Sequence, residues 1–259
     1  MNASDSAEFS SMSVMVAIPC YNEEVAIGSI VLRARKYADN VVVIDDGSHD
    51  NTTMVAKLAG ADSIVHPRNE GKGAAIKTAF SYARESNYDI LVFIDGDGQH
   101  NPDEIPKLVA PILAGEADVV IGSQYLNGNG KNPPCFCRLG QLMLGTAINM
   151  NTGLRLTDTQ SGYRAFSMHT ASAFRFHADT HSIESEMLLD AAHNGLRITE
   201  VGIGVRYDVG RHKSHLVKHG IHVLATVLHD MRARRPFYYF VLPGLALLAM
   251  GVTMRLWFF

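Results

Sequence analysis

Two carboxylates one residue apart, Asp95 and Asp97, directly follow the apolar run 90–94. Five consecutive apolar residues predict a buried parallel strand, and the carboxyl edge of such a sheet is where ligands bind. Carboxylate oxygens separated by a glycine suit a hard cation such as Mg²⁺ or Mn²⁺, with positions left for water or phosphate oxygens. The spacing therefore indicates a metal–diphosphate site, with a solvated Asp-Gly turn as the alternative.

The elements that must position these carboxylates alternate between strands and helices. This alternation predicts βαβ units and an α/β fold with a mostly parallel sheet and flanking helices. Apolar runs predict strands at 14–18, 41–44, 63–66, 90–94, 119–121, 162–166 and 198–205. Apolar spacing and helix-start signals predict helices at 23–38, 51–59, 71–84, 102–114, 139–150 and 184–193.

Composition limits the class of protein. The chain has 259 residues, 47% of them hydrophobic, and a net charge of −3. Its length indicates one α/β domain, predicted over 14–212, with an appendage. The slightly negative charge argues against a nucleic-acid partner. Three cysteines make no disulfide framework, so reduced thiols are expected. Residues 1–13 lack the basic and apolar regions of a signal peptide and are predicted to be a disordered leader.

The C-terminal region differs in kind from the rest of the chain. Residues 236–254 are 19 positions without a charge, close to the ~20 that span a bilayer. Tyr238, Tyr239 and Trp257 are spaced as interfacial aromatics, and preceding arginines place that side in the cytoplasm. We expect a transmembrane anchor over 236–259 and a basic amphipathic helix over 213–235 lying on membrane lipid. A buried core helix is the alternative. The expected localisation is the cell membrane, with the catalytic domain cytoplasmic.

Four polar stretches follow successive elements at the predicted sheet edge. They are 18–23 (Ile-Pro-Cys-Tyr-Asn-Glu), 45–52 (Asp-Asp-Gly-Ser-His-Asp-Asn-Thr), 69–73 (Asn-Glu-Gly-Lys-Gly) and 95–100 (Asp-Gly-Asp-Gly-Gln-His). In this order they resemble family 2 glycosyltransferases of the GT-A fold. The stretch 158–166, Asp-Thr-Gln-Ser-Gly-Tyr-Arg-Ala-Phe, resembles the dolichyl-phosphate mannose synthase branch. The resemblance covers about residues 14–235. It implies inverting transfer of a sugar from a nucleotide sugar to dolichyl or another polyprenyl phosphate, feeding glycoprotein or cell-surface glycan assembly.

The resemblance implies a nucleotide site at the ends of the first two strands. Pro19, Tyr21, Glu23 and Asp46 are implied to hold the base and ribose. Lys72, between two glycines at a predicted helix start, offers a cation and backbone N–H groups to phosphate, with an ordinary helix start as the alternative. The glycine-rich motifs of P-loop NTPases and dinucleotide-binding dehydrogenases are missing from the sequence, which argues against both classes.

The metal site is implied to involve the carboxylate pair and one amide. Asp95 would contact both the cation and the nucleotide, Asp97 would act as a metal ligand and catalytic residue, and Gln99 is a candidate third ligand. The cofactor expected is Mg²⁺ or Mn²⁺. UDP-N-acetylglucosamine, UDP-glucose and GDP-mannose all fit these motifs as donors.

The acceptor side requires cations that hold a lipid phosphate. Arg164 matches the family's Ser-Gly-Phe/Tyr-Arg, and Arg211 and Lys213 precede the predicted interface helix. A guanidinium suits bidentate phosphate binding; for the latter two, a surface patch that attracts anionic lipid is the alternative. Glu184, with Glu186 beside it, is a candidate catalytic acid, or else a helix-start carboxylate.

One position departs from the family pattern. Many relatives carry Gly-Ser-Arg after the fifth strand, where this chain has Gln124; Lys131 or Arg138 could supply the missing charge. Two other functions remain open. A processive polysaccharide synthase is disfavoured because its Gln-x-x-Arg-Trp motif is missing from the sequence. A membrane-tethered nucleotide-sugar-binding protein with little activity is the non-enzymatic alternative.

Overall fold

The computed structural model describes residues 12–126, 145–146, 148–150, 152–176 and 183–206, with a few positions between 244 and 253. Contacts divide the chain into two units, Met1–His212 and Lys213–Phe259. Among the described residues, none of the helices is both long and apolar enough to cross a membrane. The predicted interface helix, most of the predicted anchor and nearly all of the predicted leader lie outside the described residues, so these remain predictions.

The first unit contains a seven-stranded sheet. The strands are β1 Val14–Cys20, β2 Asn40–Asp45, β3 Asp62–Val65, β4 Ile90–Phe93, β5 Val119–Ser123, β6 Arg164–Ser167 and β7 Ile198–Gly202. Their order across the sheet is β3-β2-β1-β4-β6-β5-β7. All pairings are parallel except those of β6, which runs antiparallel between β4 and β5. The carboxyl ends of β1, β2 and β4 therefore meet at one edge.

Helices cover both faces of the sheet. They are α1 Ile27–Ala34, α2 Thr52–Leu58, α3 Lys72–Glu85, α4 Ile105–Leu113 and α5 Ile183–His193. One apolar cluster packs α1, α2 and α4 against one face, and a second packs α3 and α5 against the other. Alternate β1 residues serve the two clusters, since Val16 faces the first and Met15 the second. The predicted α/β fold is confirmed for this unit.

Two elements differ from the sequence prediction. The helix expected at 23–38 is only Ile27–Ala34. A turn in which the carbonyl of Glu23 accepts the N–H of Ala26 precedes it, and turn hydrogen bonds from Lys36 to Arg33 and from Tyr37 to Ala34 follow it. The helix expected from residue 102 begins with a 3₁₀ turn, Pro102–Glu104, whose cap is the side chain of Asn101.

Candidate active site

The Asp-Gly-Asp turn after β4 lies against the end of β1. A β-carbon added to Gly96 would come within 2.9 Å of Cβ of Cys20 and 3.6 Å of Cγ of Glu23, so only glycine allows this approach without a shift. The turn is closed by Oδ1 of Asp97, which accepts the N–H of Gln99 at 3.0 Å. The structure thus brings the predicted carboxylate pair, Gln99 and Glu23 together.

Lys72 joins the carboxylate pair from the start of α3. Its ammonium lies 2.7 Å from Oδ1 of Asp95 and 2.9 Å from Oε1 of Glu184, at the start of α5. Three separate elements thereby place one cation between two anions. On the other side, Nε2 of His100 lies 3.6 Å from Oδ2 of Asp95.

The charges in this cluster shift one another's protonation. Burial alone would lower the pKa of Lys72, but Asp95 and Glu184 raise it above its usual range. Burial opposes ionisation of Asp95, yet Lys72 and His100 hold the pKa of that carboxyl well below its usual range. Burial and the charge of Asp95 raise the pKa of Asp97. Asp97 therefore lacks the neutralisation that Asp95 has, and a cation beside it would favour its ionised form.

Asp46, predicted to contact the nucleotide, is 4% exposed and holds the loop before Lys72. Its Oδ1 lies 2.8 Å from Nδ1 of His66 and accepts the N–H of Glu70, while its Oδ2 accepts the N–H of Gly71 at 2.8 Å. Nε2 of His66 in turn lies 2.9 Å from the hydroxyl of Thr78 on α3. These contacts fix the residue immediately before Lys72.

The remaining predicted nucleotide residues line the end of β1. Pro19 is paired with Ile44 of β2. Tyr21 is partly exposed, and its ring packs edge-on against His49 with centroids 6.3 Å apart. The N–H of Glu23 donates to the hydroxyl of Thr52 at the start of α2. An aromatic ring and a carboxylate side chain thus follow β1, and the Glu23 side chain lies next to the Asp-Gly-Asp turn.

Arg164, predicted to hold the acceptor phosphate, is enclosed by backbone groups in the structure. Its side chain is buried, at 1% exposure, and its guanidinium donates to the carbonyls of Ser161, Thr159 and Glu184 at 2.7, 2.9 and 2.7 Å. Three of the five N–H groups of the guanidinium are used by these carbonyls, so Arg164 ties the 159–161 loop to the start of α5, where Glu184 lies. Its contact with an acceptor phosphate stays a prediction.

Gln124, the departure from the family pattern, contacts a buried carboxylate. Its Nε2 donates to Oδ2 of Asp158 at 3.3 Å, and burial raises the pKa of Asp158. Glu200 of β7 accepts the N–H groups of Thr157 and Asp158. The other predicted acceptor residues (Arg211 and Lys213) and the substitute cations (Lys131 and Arg138) lie outside the described residues and stay predictions.

Two residues that organise the site were not predicted from the sequence. His66 follows β3 and reaches back to Asp46, and Glu200 on β7 holds the loop that leads to Arg164. A polar residue directly after a short strand was the available signal for His66. Glu200 carried no local signal, because its partners are more than 40 positions away.

The donor set fits a hard divalent cation held by few protein ligands. Within the described residues there is no group of three or more His, Cys, Asp or Glu side chains that forms a ready metal cage. Two carboxylates from one turn match the way Mg²⁺ is bound, with water and substrate phosphates completing its coordination. In the part of the chain that the structure describes, Oδ2 of Asp97 has no hydrogen-bond or ion-pair partner, whereas Oδ1 of Asp95 is occupied by Lys72.

Comparisons with known proteins agree with this geometry. A profile of the family described as "Glycosyl transferase family 2" matches residues 15–178. The UDP-N-acetylglucosamine–dolichyl-phosphate N-acetylglucosaminyltransferase of Methanococcus voltae is 35% identical over 216 residues, which is 75% of this chain and 86% of that protein. The undecaprenyl-phosphate mannosyltransferase of Micrococcus luteus is 35% identical over 211 residues, 74% of this chain and 83% of that protein.

A solved structure shows the same fold with ligands. Glucosyl-3-phosphoglycerate synthase from Mycobacterium tuberculosis, in complex with Mn²⁺, UDP and phosphoglyceric acid, superposes with a TM-score of 0.69 at 26% identity. The match covers 87% of this chain and 80% of that one. The same enzyme was also solved with Mg²⁺ and UDP.

Proposed function

Because this chain belongs to glycosyl transferase family 2, we propose that it transfers a sugar from a nucleotide sugar to a polyprenyl phosphate such as dolichyl phosphate. The observation that carries the proposal is the cluster of Asp95, Asp97, Lys72 and Glu184 at the carboxyl edge of the sheet. Relatives named for polyprenyl-phosphate acceptors support the choice of acceptor.

In this proposal the donor diphosphate lies over the Asp-Gly-Asp turn. Asp95, Asp97 and Gln99 hold Mg²⁺ or Mn²⁺, which supplies positive charge to the leaving nucleoside diphosphate when bound. Lys72 adds a second cation from the start of α3. Solved structures of the Mycobacterium tuberculosis enzyme with Mn²⁺ or Mg²⁺ and UDP support the pairing of metal and nucleotide.

The base and ribose lie on the end of β1. Tyr21 offers the base an aromatic surface, Glu23 offers a carboxylate, and Pro19 supplies the backbone beneath them. Asp46 acts by fixing the loop that carries Lys72, through the N–H of Gly71. Relatives at equal identity are named for different sugars, so UDP-N-acetylglucosamine, UDP-glucose and GDP-mannose are all candidate donors.

The acceptor phosphate acts as the nucleophile. Its second pKa is near ~6, so it is largely dianionic at neutral pH and needs no strong base. One of its oxygens bonds to the anomeric carbon as the bond to the nucleoside diphosphate breaks, which inverts that carbon.

Arg211 and Lys213 are proposed to hold the acceptor phosphate. The predicted 213–235 helix and 236–259 anchor are proposed to hold the chain at the cytoplasmic face of the cell membrane. Glu184 is proposed to position Lys72, with which it pairs at 2.9 Å.

The testing experiment measures glycolipid formation by purified protein. Protein is incubated with Mn²⁺, polyprenyl phosphate and each nucleotide sugar in turn, and the lipid product is separated and identified. We expect one donor to give product that requires the cation. Asp97→Ala should abolish product while the melting temperature is preserved, and Asp103→Ala, at an exposed carboxylate paired with Arg33, should leave product formation unchanged. Absence of product with every donor would reject the transferase proposal.

A further inference from the structure

One ammonium group occupies the carboxylate that the proposed cation needs. Nζ of Lys72 lies 2.7 Å from Oδ1 of Asp95, and both side chains are about three-quarters buried, with exposures of 23% and 25%. The second anion, Glu184, is 7% exposed and lies 2.9 Å from the same nitrogen. The cluster is therefore an enclosed ion group and not a surface salt bridge.

The second carboxylate of the turn is in a different state. Within the described residues, the one hydrogen bond to this side chain comes from the N–H of Gln99, which Oδ1 of Asp97 accepts, and no ion pair reaches it. The two members of the pair are thus unequal, because Asp95 is neutralised by a lysine and Asp97 is open.

We propose that Lys72 is a resident counter-cation, which leaves Oδ1 of Asp95 when a divalent cation binds and then contacts the donor diphosphate. The inference rests on the proposed function, because it takes Asp95 and Asp97 as the metal ligands. A lysine suits this exchange, since its compact charge sits on a flexible four-carbon stem.

The exchange makes metal and nucleotide binding interdependent. Two cations at one carboxylate oxygen repel each other, so the ammonium weakens binding of a metal ion in the absence of nucleotide. The nucleotide phosphates give the displaced ammonium a new partner, and the penalty then disappears. By linkage, the cation strengthens nucleotide binding by the same factor by which the nucleotide strengthens cation binding.

The experiment compares Mn²⁺ affinity in the wild type, Lys72→Met and the control Lys57→Met, an exposed lysine on α2. Free Mn²⁺ is followed by electron paramagnetic resonance during titration of the full chain, without nucleotide and with UDP or GDP. We expect Lys72→Met to bind Mn²⁺ alone about tenfold more tightly than the wild type. Nucleotide should raise the Mn²⁺ affinity of the wild type and of Lys57→Met. It should raise the Mn²⁺ affinity of Lys72→Met much less.

The outcomes separate the two proposals. If Lys72→Met binds Mn²⁺ alone no more tightly than the wild type, while the wild type binds it with nucleotide, the counter-cation inference is wrong and the metal site stands. If the wild type binds no Mn²⁺ under any condition, or Asp97→Ala binds it equally well, the metal site itself fails and the inference with it.

A second variant guards against misfolding. Lys72→Gln also removes the charge but can donate a hydrogen bond to either carboxylate, so it should show the same gain in Mn²⁺ affinity. Because the neutral variants remove the ammonium that Asp95 and Glu184 share, Mn²⁺ should also raise their melting temperatures more than that of the wild type. An equal rise in all three proteins would contradict the inference.

Discussion

Gly162 and Asp95 approach so closely that a β-carbon on Gly162 would lie 2.5 Å from Oδ2 of Asp95. The loop before β6 therefore closes one side of the carboxylate, while Lys72 and His100 occupy the other sides. Glycine at this position leaves the space in which the Asp95 carboxylate sits.

Gly162→Ala should consequently displace the Asp95 carboxylate or the loop itself. Overpacking of this kind costs about 1–3 kcal/mol of stability, and we expect a larger effect on activity because the displaced group is a proposed metal ligand. Glycolipid formation should fall by at least about tenfold for a misplacement near 1 Å. Gly204→Ala is the matched control, since among the described residues the nearest atom to its β-carbon would be a carboxylate oxygen of Glu104 at 3.9 Å. Equal activity of both variants would show that the approach of Gly162 is not restrictive.

Arg164 supports the fold through three backbone carbonyls. Arg164→Met leaves those buried acceptors without a donor, at about 1–3 kcal/mol each, so we expect a loss of about 3 kcal/mol or more. For a chain of this size that lowers the melting temperature by roughly 6–12 °C. Thermal unfolding measures these losses, and we expect the melting temperature to fall in the order wild type, Arg164→Lys, Arg164→Met. A variant with the wild-type melting temperature and a raised KM for polyprenyl phosphate would instead support the acceptor role that the motif suggested.

The sequence predicted correctly which strands end at the carboxyl edge of the sheet and which polar residues follow them. Apolar runs located β1, β2 and β4, and the polar residues after them, Tyr21, Asp46 and Asp95, do lie at that edge. The direction of β6 was not predictable from its own residues, because antiparallel pairing with β4 and β5 is decided by long-range packing. The true start of α1 was missed for a similar reason, since the preceding turn is held by a distant residue, the hydroxyl of Thr52, which accepts the N–H of Glu23.

Side-chain roles were harder to infer than strand positions. An arginine in a motif has the same sequence signature whether its guanidinium faces a phosphate or three carbonyls, and Arg164 faces carbonyls. The ion pair between Lys72 and Glu184 joins residues far apart in the chain, so no spacing rule reveals it. Such pairings require the tertiary structure, because they follow from which helix starts meet above the sheet.

His66 should affect donor binding without touching the donor. It contacts Asp46, which holds the N–H of Gly71 beside Lys72. We expect His66→Ala and Asp46→Asn each to weaken UDP binding by about tenfold, since each loses a buried hydrogen bond worth ~1–3 kcal/mol to the loop. Calorimetric titration with UDP and Mn²⁺ measures the effect, with Lys57→Met as the control. If folded His66→Ala has the wild-type dissociation constant for UDP while Asp46→Asn binds UDP much more weakly, Asp46 contacts the nucleotide directly.

Gln124 contacts the buried carboxylate of Asp158 and should affect how that carboxylate responds to pH. Burial raises the pKa of Asp158 in the folded state, and the amide of Gln124 partly opposes this. A raised folded pKa gives stability that is fully present below the unfolded pKa, near ~3.9, and is lost as the pH rises through the folded value. Gln124→Arg places a guanidinium beside the carboxylate, which favours the ionised form and should reduce that loss. Gln124→Met removes the hydrogen-bond donor and should increase the loss of stability at high pH.

Urea unfolding between pH 4 and pH 8 should therefore show the steepest fall in stability for Gln124→Met, an intermediate fall for the wild type and the shallowest for Gln124→Arg. Three parallel curves would show that the side chain at this position does not control the ionisation of Asp158.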